Sequence, residues 1–146
     1  HLLEDHRDDF TDYVRRSLEH GAQVTGADLS RALLRVDQLR RQMEDLFDQY
    51  DLLLTPTMAV PAFPIEQRPS VIGGKKVEPF WGYLPFTYPI NMTGQTASSV
   101  PCGFSSDGMP IGLHIIGPRG AEAKVLQASA AFEAARPWED KRAPMV

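Results

Sequence analysis

The fold is decided by residues 86–117, which read FTYPINMTGQTASSVPCGFSSDGMPIGLHIIG. This stretch contains two apolar, strand-like runs, Ser98–Phe104 and Ile111–Ile116, joined through Ser105–Gly108. An Asp-Gly pair at the tip of a loop between two such runs is a strong signal for a β-hairpin. We therefore predict a hairpin here, ended by the Gly117-Pro118 break.

Regular structure is also predicted on both sides of the hairpin. After it, apolar residues recur at helical spacing, which predicts an amphipathic helix over Glu122–Glu133 that stops before Pro137. Before it, Asp51–Leu54 is a short apolar run ended by Thr55-Pro56, which is typical of a buried strand.

The intervening segment, residues 55–97, is rich in proline and in large apolar side chains. Because proline offers no backbone N–H, we expect an extended, loop-rich segment rather than a sheet. A long loop with this aromatic content either packs against the core or lines a cavity. Within it, Gly73-Gly74 is interpreted as a surface turn rather than a phosphate-binding loop.

The first third of the chain differs in composition from the rest. Residues 1–50 contain no proline and hold 7 Lys and Arg against 11 Asp and Glu. We predict a first helix over roughly residues 2–19 that stops at Gly21, a natural left-handed position. A second amphipathic helix is predicted to begin at Thr25, with Asp28 completing a capping box.

These elements predict an α/β fold, or α+β for the chain taken by itself. The expected order is two N-terminal helices, a short strand, a long proline- and aromatic-rich loop, a β-hairpin and a C-terminal helix. We treat residues 1–146 as a single unit, in which 1–50 form a helical arm and 51–146 carry the strands, the loop and the final helix.

Composition excludes several classes of protein. The net charge of −4 gives no basic patch for nucleic acid or an anionic membrane. One cysteine excludes a disulfide framework and a cysteine-based zinc site, and the four histidines lack metal-ligand spacing. There is no apolar run of the roughly 20 residues that span a bilayer, and no secretory signal at the start. The chain begins within a predicted helix and without Met, so we expect a piece of a longer polypeptide.

The chain carries no familiar catalytic motif. It lacks Gly-x-Ser-x-Gly, a Walker loop, Gly-x-Gly-x-x-Gly and His-Glu-x-x-His. A Cys102–His114 dyad is the one nucleophilic pair to test. With Asp107-Gly108 as a two-residue turn, Ser106 opposes Met109. The same register sets Cys102 against Leu113 and His114 against Pro101, so that the pair lies on opposite sheet faces. A one-residue bulge would reverse that, but we interpret both as packed strand residues.

Three stretches resemble one known family. Phe86–Gly103 is similar to the pattern Phe-Thr-x-Pro-x-Asn-x-Thr-Gly-x-Pro-Ala-x-Ser-Val-Pro-x-Gly of the amidase signature family, with Thr96 where proline is common. Gly108–Pro118 resembles that family's next stretch, with His114 where glutamine is common. Tyr50–Thr57 resembles the segment that leads into it. The order and spacing of the helices also fit, so the resemblance covers nearly the whole chain.

The resemblance implies the C-terminal portion of an amidase, which breaks amide C–N bonds with a Ser–cis-Ser–Lys triad and no metal or organic cofactor. The family's Gly/Ser-rich nucleophile region has no match in this chain. Ser98, Ser99, Lys75 and Lys76 match no triad member. We therefore assign no catalytic residue and expect the isolated 146-residue chain to be inactive.

The resemblance also suggests where substrate is held. The aromatic loop that leads into Phe86 would form part of the substrate pocket, since an acyl or aryl pocket has apolar walls and few polar anchors. Packing beneath the loop is the alternative role for each candidate. The candidate pocket residues are Trp81, Tyr83, Leu84, Phe86 and Thr87.

Two other functions remain open. The glutaminase subunit of a tRNA-dependent amidotransferase belongs to the same family, but generally has an acidic residue where Leu84 stands, and an apolar side chain cannot offset a buried ammonium. A non-catalytic module for dimerisation or binding is the other. For the amidase we expect a cytoplasmic enzyme with a small amide substrate. Its further partners would be the remainder of its own polypeptide and, potentially, a second copy of itself.

Overall fold

The computed structural model describes residues 5–141. Its contacts divide the chain into two compact units, residues 1–37 and residues 38–146. The boundary falls inside one long helix, and each unit is described by itself. The described elements of the first unit are a 3-10 turn at Arg7–Asp9, helix α1 at Asp12–Gly21, and the start of helix α2, which runs Gly26–Phe47.

The first helix is shorter than predicted. Phe10 and Thr11 have extended backbone angles, so the predicted helix over residues 2–19 is interrupted, and residues 1–4 lie outside the described part. Helix α1 does end at Gly21, as expected. Gly21 is its last helical residue, however, and is not among the glycines with positive φ.

Helix α2 begins as its capping box predicts. The Asp28 backbone N–H donates to Thr25 Oγ1 at 3.1 Å, and the Thr25 backbone N–H donates to Asp28 Oδ2 at 3.2 Å. The hydrogen bonds from the Thr25 side chain and backbone, followed by the one from Arg31, lower the pKa of Asp28. The exchange satisfies two backbone N–H donors at a helix end where they have no intrahelical partners.

The second unit is built on a three-stranded antiparallel sheet with the order β1-β5-β4. Strand β1 is Leu53–Pro56, β4 is Thr96–Phe104 and β5 is Pro110–Gly117. The predicted hairpin is confirmed as β4 and β5. The predicted strand at Asp51–Leu54 lies two residues later and is an edge strand with alternating exposure, because its apolar residues face the core only at every second position.

The central strand β5 separates two small cores. Ile115 and Ile116 are 1% and 0% exposed, and consecutive strand residues point to opposite faces. Ile115 packs with Val100 and with Val125 of the final helix. Ile116 packs on the other face. Its buried neighbours there are Met43 and Ile90.

The final helix, α4, spans Glu122–Ala135 and confirms the predicted helix in place and length. It packs against both β4 and β5. Its Ser129 Oγ lies 2.8 Å from Ser98 Oγ of β4. The C-terminal helix therefore covers the sheet face that carries Ile115.

The hairpin loop is longer than predicted, and a bulge follows it. The Ser105 N–H donates to the Met109 carbonyl at 2.8 Å, and Gly108 has φ of +83°, so three residues rather than two form the loop. A register shift at Cys102 moves the pairing by another residue. The predicted pairing of Ser106 with Met109 is therefore wrong, because both a longer loop and a bulge fit the sheet's twist.

Residues 57–95 contain two short elements that the proline content concealed. Strands β2 and β3, Val71–Ile72 and Lys75–Lys76, form a small hairpin. Its turn is the predicted Gly73-Gly74 pair, with φ of +56° and +76°. Helix α3, Tyr88–Thr93, was expected to be extended. Its proline stands in the first turn, where the missing N–H costs nothing, so this part of the loop prediction is wrong.

Candidate functional site

An apolar cavity of about 670 Å³ lies within the second unit, beside the start of β5 and the segment that follows β1. No charged side chain is among its described lining residues. Such a cavity favours an alkyl or aryl group over an ionic one. Its walls are formed by Pro56, Met58, Ala59, Val60, Pro61, Ala62, Phe63, Ile72, Phe86, Pro110, Ile111 and Gly112.

The wall of this cavity is braced from the aromatic loop. The Tyr83 ring packs edge-to-face on Phe63, with ring centroids 5.1 Å apart. The Ala59 N–H donates to the Tyr83 carbonyl at 3.1 Å. Side chain and backbone of one residue thus fix both ends of the segment that lines the cavity.

A second, polar cleft of about 340 Å³ lies between helix α3 and the sheet. Its described lining has hydroxyl, carboxamide and imidazole groups and no formal charge except on a protonated histidine. The lining residues are Thr57, Thr87, Ile90, Asn91, Gln95, Ala97, Ser98, Ser99 and His114.

The cavity and the cleft share a wall at Gly112. Thr57 Oγ1 and Ser99 Oγ lie 2.7 Å apart, and the Thr57 N–H donates to the Gly112 carbonyl at 2.9 Å. A Cβ added at Gly112 would lie 2.6 Å from Thr57 Oγ1 and 2.7 Å from Ser99 Oγ. Only glycine permits this approach, so the partition between the two spaces depends on a residue without a side chain.

His114 is the titratable group of the polar cleft. It is 6% exposed, pairs across the sheet with Ser99, and has Nδ1 3.4 Å from Thr55 Oγ1. Burial lowers its pKa from the ordinary value of 6.5. The imidazole is therefore neutral at neutral pH and contributes one donor and one acceptor to the cleft.

Cys102 and His114 do not form a dyad. Cys102 stands at the bulge of β4 and lines a separate cavity of about 260 Å³ with Trp138 and Lys141. His114 lines the polar cleft instead. The interpretation of both as packed strand residues fits: His114 is buried and Cys102 is half-buried.

The predicted pocket residues are distributed over several places. Phe86 lines the apolar cavity, whereas Thr87 lines the polar cleft. Tyr83 supports the cavity from behind through Phe63. Trp81 is 43% exposed and packs on Tyr88, with ring centroids 5.2 Å apart. The Leu84 carbonyl accepts the Thr87 N–H at 3.3 Å and thereby shapes the turn before helix α3.

Sequence reasoning missed most of the lining. Residues 57–62 form the largest continuous part of the apolar wall, yet their small apolar side chains carry no periodic signal. Gln95 and Asn91 belong to helix α3 and the turn after it, which were expected to be extended. The Thr-Pro-Thr run at residues 55–57 was the only available signal, as the predicted end of a strand.

Neither a metal centre nor a membrane span is found in residues 5–141. No group of three or more His, Cys, Asp or Glu side chains lies where it could hold a metal ion. No helix in this range is both long and apolar enough to cross a bilayer.

The fold and the two adjoining cavities define the ligand-binding portion of an α/β protein. Residues 2–126 match the model of the amidase family, and the chain belongs to that family. An acylamidase of Rhodococcus erythropolis is 39% identical over 145 residues, which are 95% of this chain and 29% of that protein.

Two further relatives agree with this assignment. The crystal structure of a bacterial aryl acylamidase of the amidase signature family superposes with a TM-score of 0.84 at 36% identity, over 95% of this chain and 29% of that one. A glutamyl-tRNA(Gln) amidotransferase subunit of Moorella thermoacetica is 44% identical over 106 residues, which are 71% of this chain and 20% of that protein. The chain therefore spans less than a third of each of these relatives.

Proposed function

We propose that the chain is the C-terminal part of an amidase that hydrolyses the C–N bond of small carboxylic amides. Residues 1–146 form one C-terminal portion of that enzyme, with residues 1–50 as a helical arm. Family membership and the similarity to an acylamidase over 95% of the chain support this proposal. The Ser–cis-Ser–Lys residues and any oxyanion donors come from the remainder of the polypeptide. The present chain supplies sheet and substrate pocket.

The apolar cavity is the observation that carries the choice of substrate. Its described lining offers aliphatic and aromatic surface and no charged group. An alkyl or aryl part of the amide gains free energy there in proportion to the apolar area removed from water. We assign Phe86 to direct contact with this group, Tyr83 to support of the wall, and Trp81, Leu84 and Thr87 to the turn and cleft beside it.

Truncation of Phe86 tests this assignment in the enzyme that contains these residues. Because Phe86 lines the cavity, Phe86→Ala is expected to lower kcat/KM for an aryl amide by about 10- to 100-fold. Acetamide is too small to contact the ring, so its kcat/KM changes far less. Phe104→Ala, at a 46% exposed ring of β4, is the matched control. An equal loss for both amides would contradict the assignment.

The amidotransferase glutaminase subunit is the second candidate, favoured by the 44% identical relative. Glutamine carries an ammonium and a carboxylate, and neither Leu84 nor the described lining of the apolar cavity offers a charged partner. We therefore expect an aryl amide to be hydrolysed with a higher kcat/KM than glutamine. A preference for glutamine would support the amidotransferase function instead.

The proposal extends to the isolated chain and to the setting of the enzyme. The purified 146-residue chain is expected to show no amide hydrolysis. Turnover that survives Cys102→Ala would contradict the placement of the catalytic residues elsewhere, and turnover lost with it would restore Cys102 as a nucleophile. A cytoplasmic location follows from the family assignment and is tested by fractionation of the native host cells.

A further inference from the structure

The polar cleft has a chemistry distinct from that of the apolar cavity. Its hydroxyls and carboxamides each donate and accept hydrogen bonds, and none of its described lining residues carries a fixed charge. A fully ionic ligand would lose its hydration there without gaining an opposite charge. The complementary ligand is therefore uncharged and carries both donors and acceptors.

Gln95 gives this cleft an unused acceptor. It lines the cleft, and its Oε1 is buried without a hydrogen-bond donor among the described residues. A buried carbonyl oxygen without a donor costs free energy, and protein structures seldom retain one without a use for it. The neighbouring Thr57 and Ser99 hydroxyls lie 2.7 Å from each other. A ligand that brings an N–H would satisfy Gln95 while these hydroxyls stay paired.

The surroundings of Gln95 also disfavour an anion. Gln95 lines a neighbouring shallow cleft together with Glu44, Asp48 and Arg119. Arg119 is already bonded to Glu44 at 2.7 Å. The three charged groups sum to −1, so a negatively charged ligand near Gln95 meets repulsion rather than a free cation.

The geometry points to a second ligand site in the polar cleft, which takes an uncharged group with an N–H donor and an oxygen acceptor, such as a carboxamide or sulfonamide, bound through Gln95 Oε1. The cleft volume of about 340 Å³ accommodates a ring-sized molecule that bears such a group. The Thr57–Gly112–Ser99 wall separates this site from the apolar cavity, so the inference does not depend on which amide the enzyme hydrolyses.

Three matched probes test the site in the full enzyme. Benzenesulfonamide carries the N–H donor and is not an acyl amide. Methyl phenyl sulfone has the same shape without the donor, and benzenesulfonate replaces the donor with a negative charge. We expect benzenesulfonamide to bind about 10-fold tighter than either of the other two, as measured by titration calorimetry.

Substitution at Gln95 shows whether the preference comes from this cleft. Gln95→Leu is expected to remove the tenfold preference, and Gln95→Glu, which keeps an acceptor oxygen, to retain binding of benzenesulfonamide over benzenesulfonate. Gln127→Leu, at an exposed position of helix α4, makes the same chemical change away from the cleft and should leave all three affinities unchanged. Circular dichroism confirms that each variant is folded.

The outcomes separate this site from the proposed activity. Equal affinities for benzenesulfonamide and methyl phenyl sulfone, or a preference that persists in folded Gln95→Leu, would overturn the inference even in an active amidase. Selective binding that depends on Gln95 would support it even if no amide is hydrolysed. In that case the proposed function fails and the ligand site stands.

Discussion

At Gly112 the backbone passes within contact distance of two side-chain hydroxyls. A Cβ added there would lie 2.6 Å from Thr57 Oγ1 and 2.7 Å from Ser99 Oγ, and both distances are shorter than any ordinary carbon–oxygen contact. Since Gly112 also lines the apolar cavity, any shift that relieves this overlap moves the wall between the cavity and the cleft. One position therefore couples stability to the shape of the site.

We expect Gly112→Ala to destabilise the protein by about 1–3 kcal/mol, because the added methyl group overpacks a fixed contact. Urea unfolding measures the loss. Combining it with Thr57→Ala and Ser99→Ala removes both hydroxyls and should restore part of the stability. Gly103→Ala, where nothing lies within 4 Å of the added Cβ, is the control. A triple variant no more stable than the single one would refute the steric explanation.

His114 links stability to pH. Burial lowers its pKa in the folded protein, so the unfolded chain binds the proton first as the pH falls. Its contribution is complete above the ordinary pKa of 6.5 and is lost as the pH falls from there toward the lowered folded pKa.

His114→Gln, which cannot protonate, is expected to flatten the fall in melting temperature between about pH 7.5 and about pH 5.5. Differential scanning calorimetry across this range provides the measurement. His20→Gln, at an exposed position of helix α1, is the matched control. An unchanged pH slope in His114→Gln would show that other groups dominate the dependence.

At the scale of elements, helix α2 shows how far local chemistry reaches. Its capping box at Thr25 and Asp28 was predicted from two residue types at a spacing of three, because each satisfies a donor of the other. The start of the helix needs no tertiary partner. In residues 5–37 no side chain is classed as buried, which fits a helix start determined by its own sequence.

Thr25→Ala removes the side-chain acceptor for the Asp28 N–H. We expect amide hydrogen exchange in the first turn of α2 to accelerate about fivefold, while exchange at Ile115 and Ile116 stays the same. Thr25→Ser keeps the hydroxyl and is the control. Acceleration that is equal in the serine variant would show that the methyl group, rather than the cap, is important.

The hairpin gives the opposite lesson for elements. Its existence and approximate bounds were predicted from Asp107-Gly108 and the two apolar runs. Its register was not, because a three-residue loop and a bulge at Cys102 each shift the pairing by one residue. Both devices serve the twist of the sheet, which depends on packing and not on the local sequence.

At the scale of the whole chain, apolar surface remains uncovered in each unit. In the first unit Leu29, Leu33 and Leu34 of helix α2 are 55%, 59% and 65% exposed. In the second unit β4 is an edge strand of nine residues in the three-stranded sheet. Edges and apolar helix faces of this kind favour association with other chains.

We therefore expect the 146-residue chain, expressed alone, to self-associate. Size-exclusion chromatography with light scattering measures its mass over a concentration series. Substituting Leu29 and Leu33 with Glu should lower the apparent mass, because charge opposes burial of that face. Substituting exposed Gln127 with Glu is the control. A clean monomer at all concentrations would contradict this prediction.

The sequence by itself determined the order of the main elements, the helix cap, the glycine turn and the family, because these depend on residues close to one another in the chain. It also located the aromatic loop, with Phe86 at the cavity and Thr87 at the cleft. Only the tertiary structure decided the register of the hairpin, helix α3 and the wall at Gly112. These depend on which distant backbones approach one another, and the hydroxyls of Thr57 and Ser99 meet across 42 residues of chain.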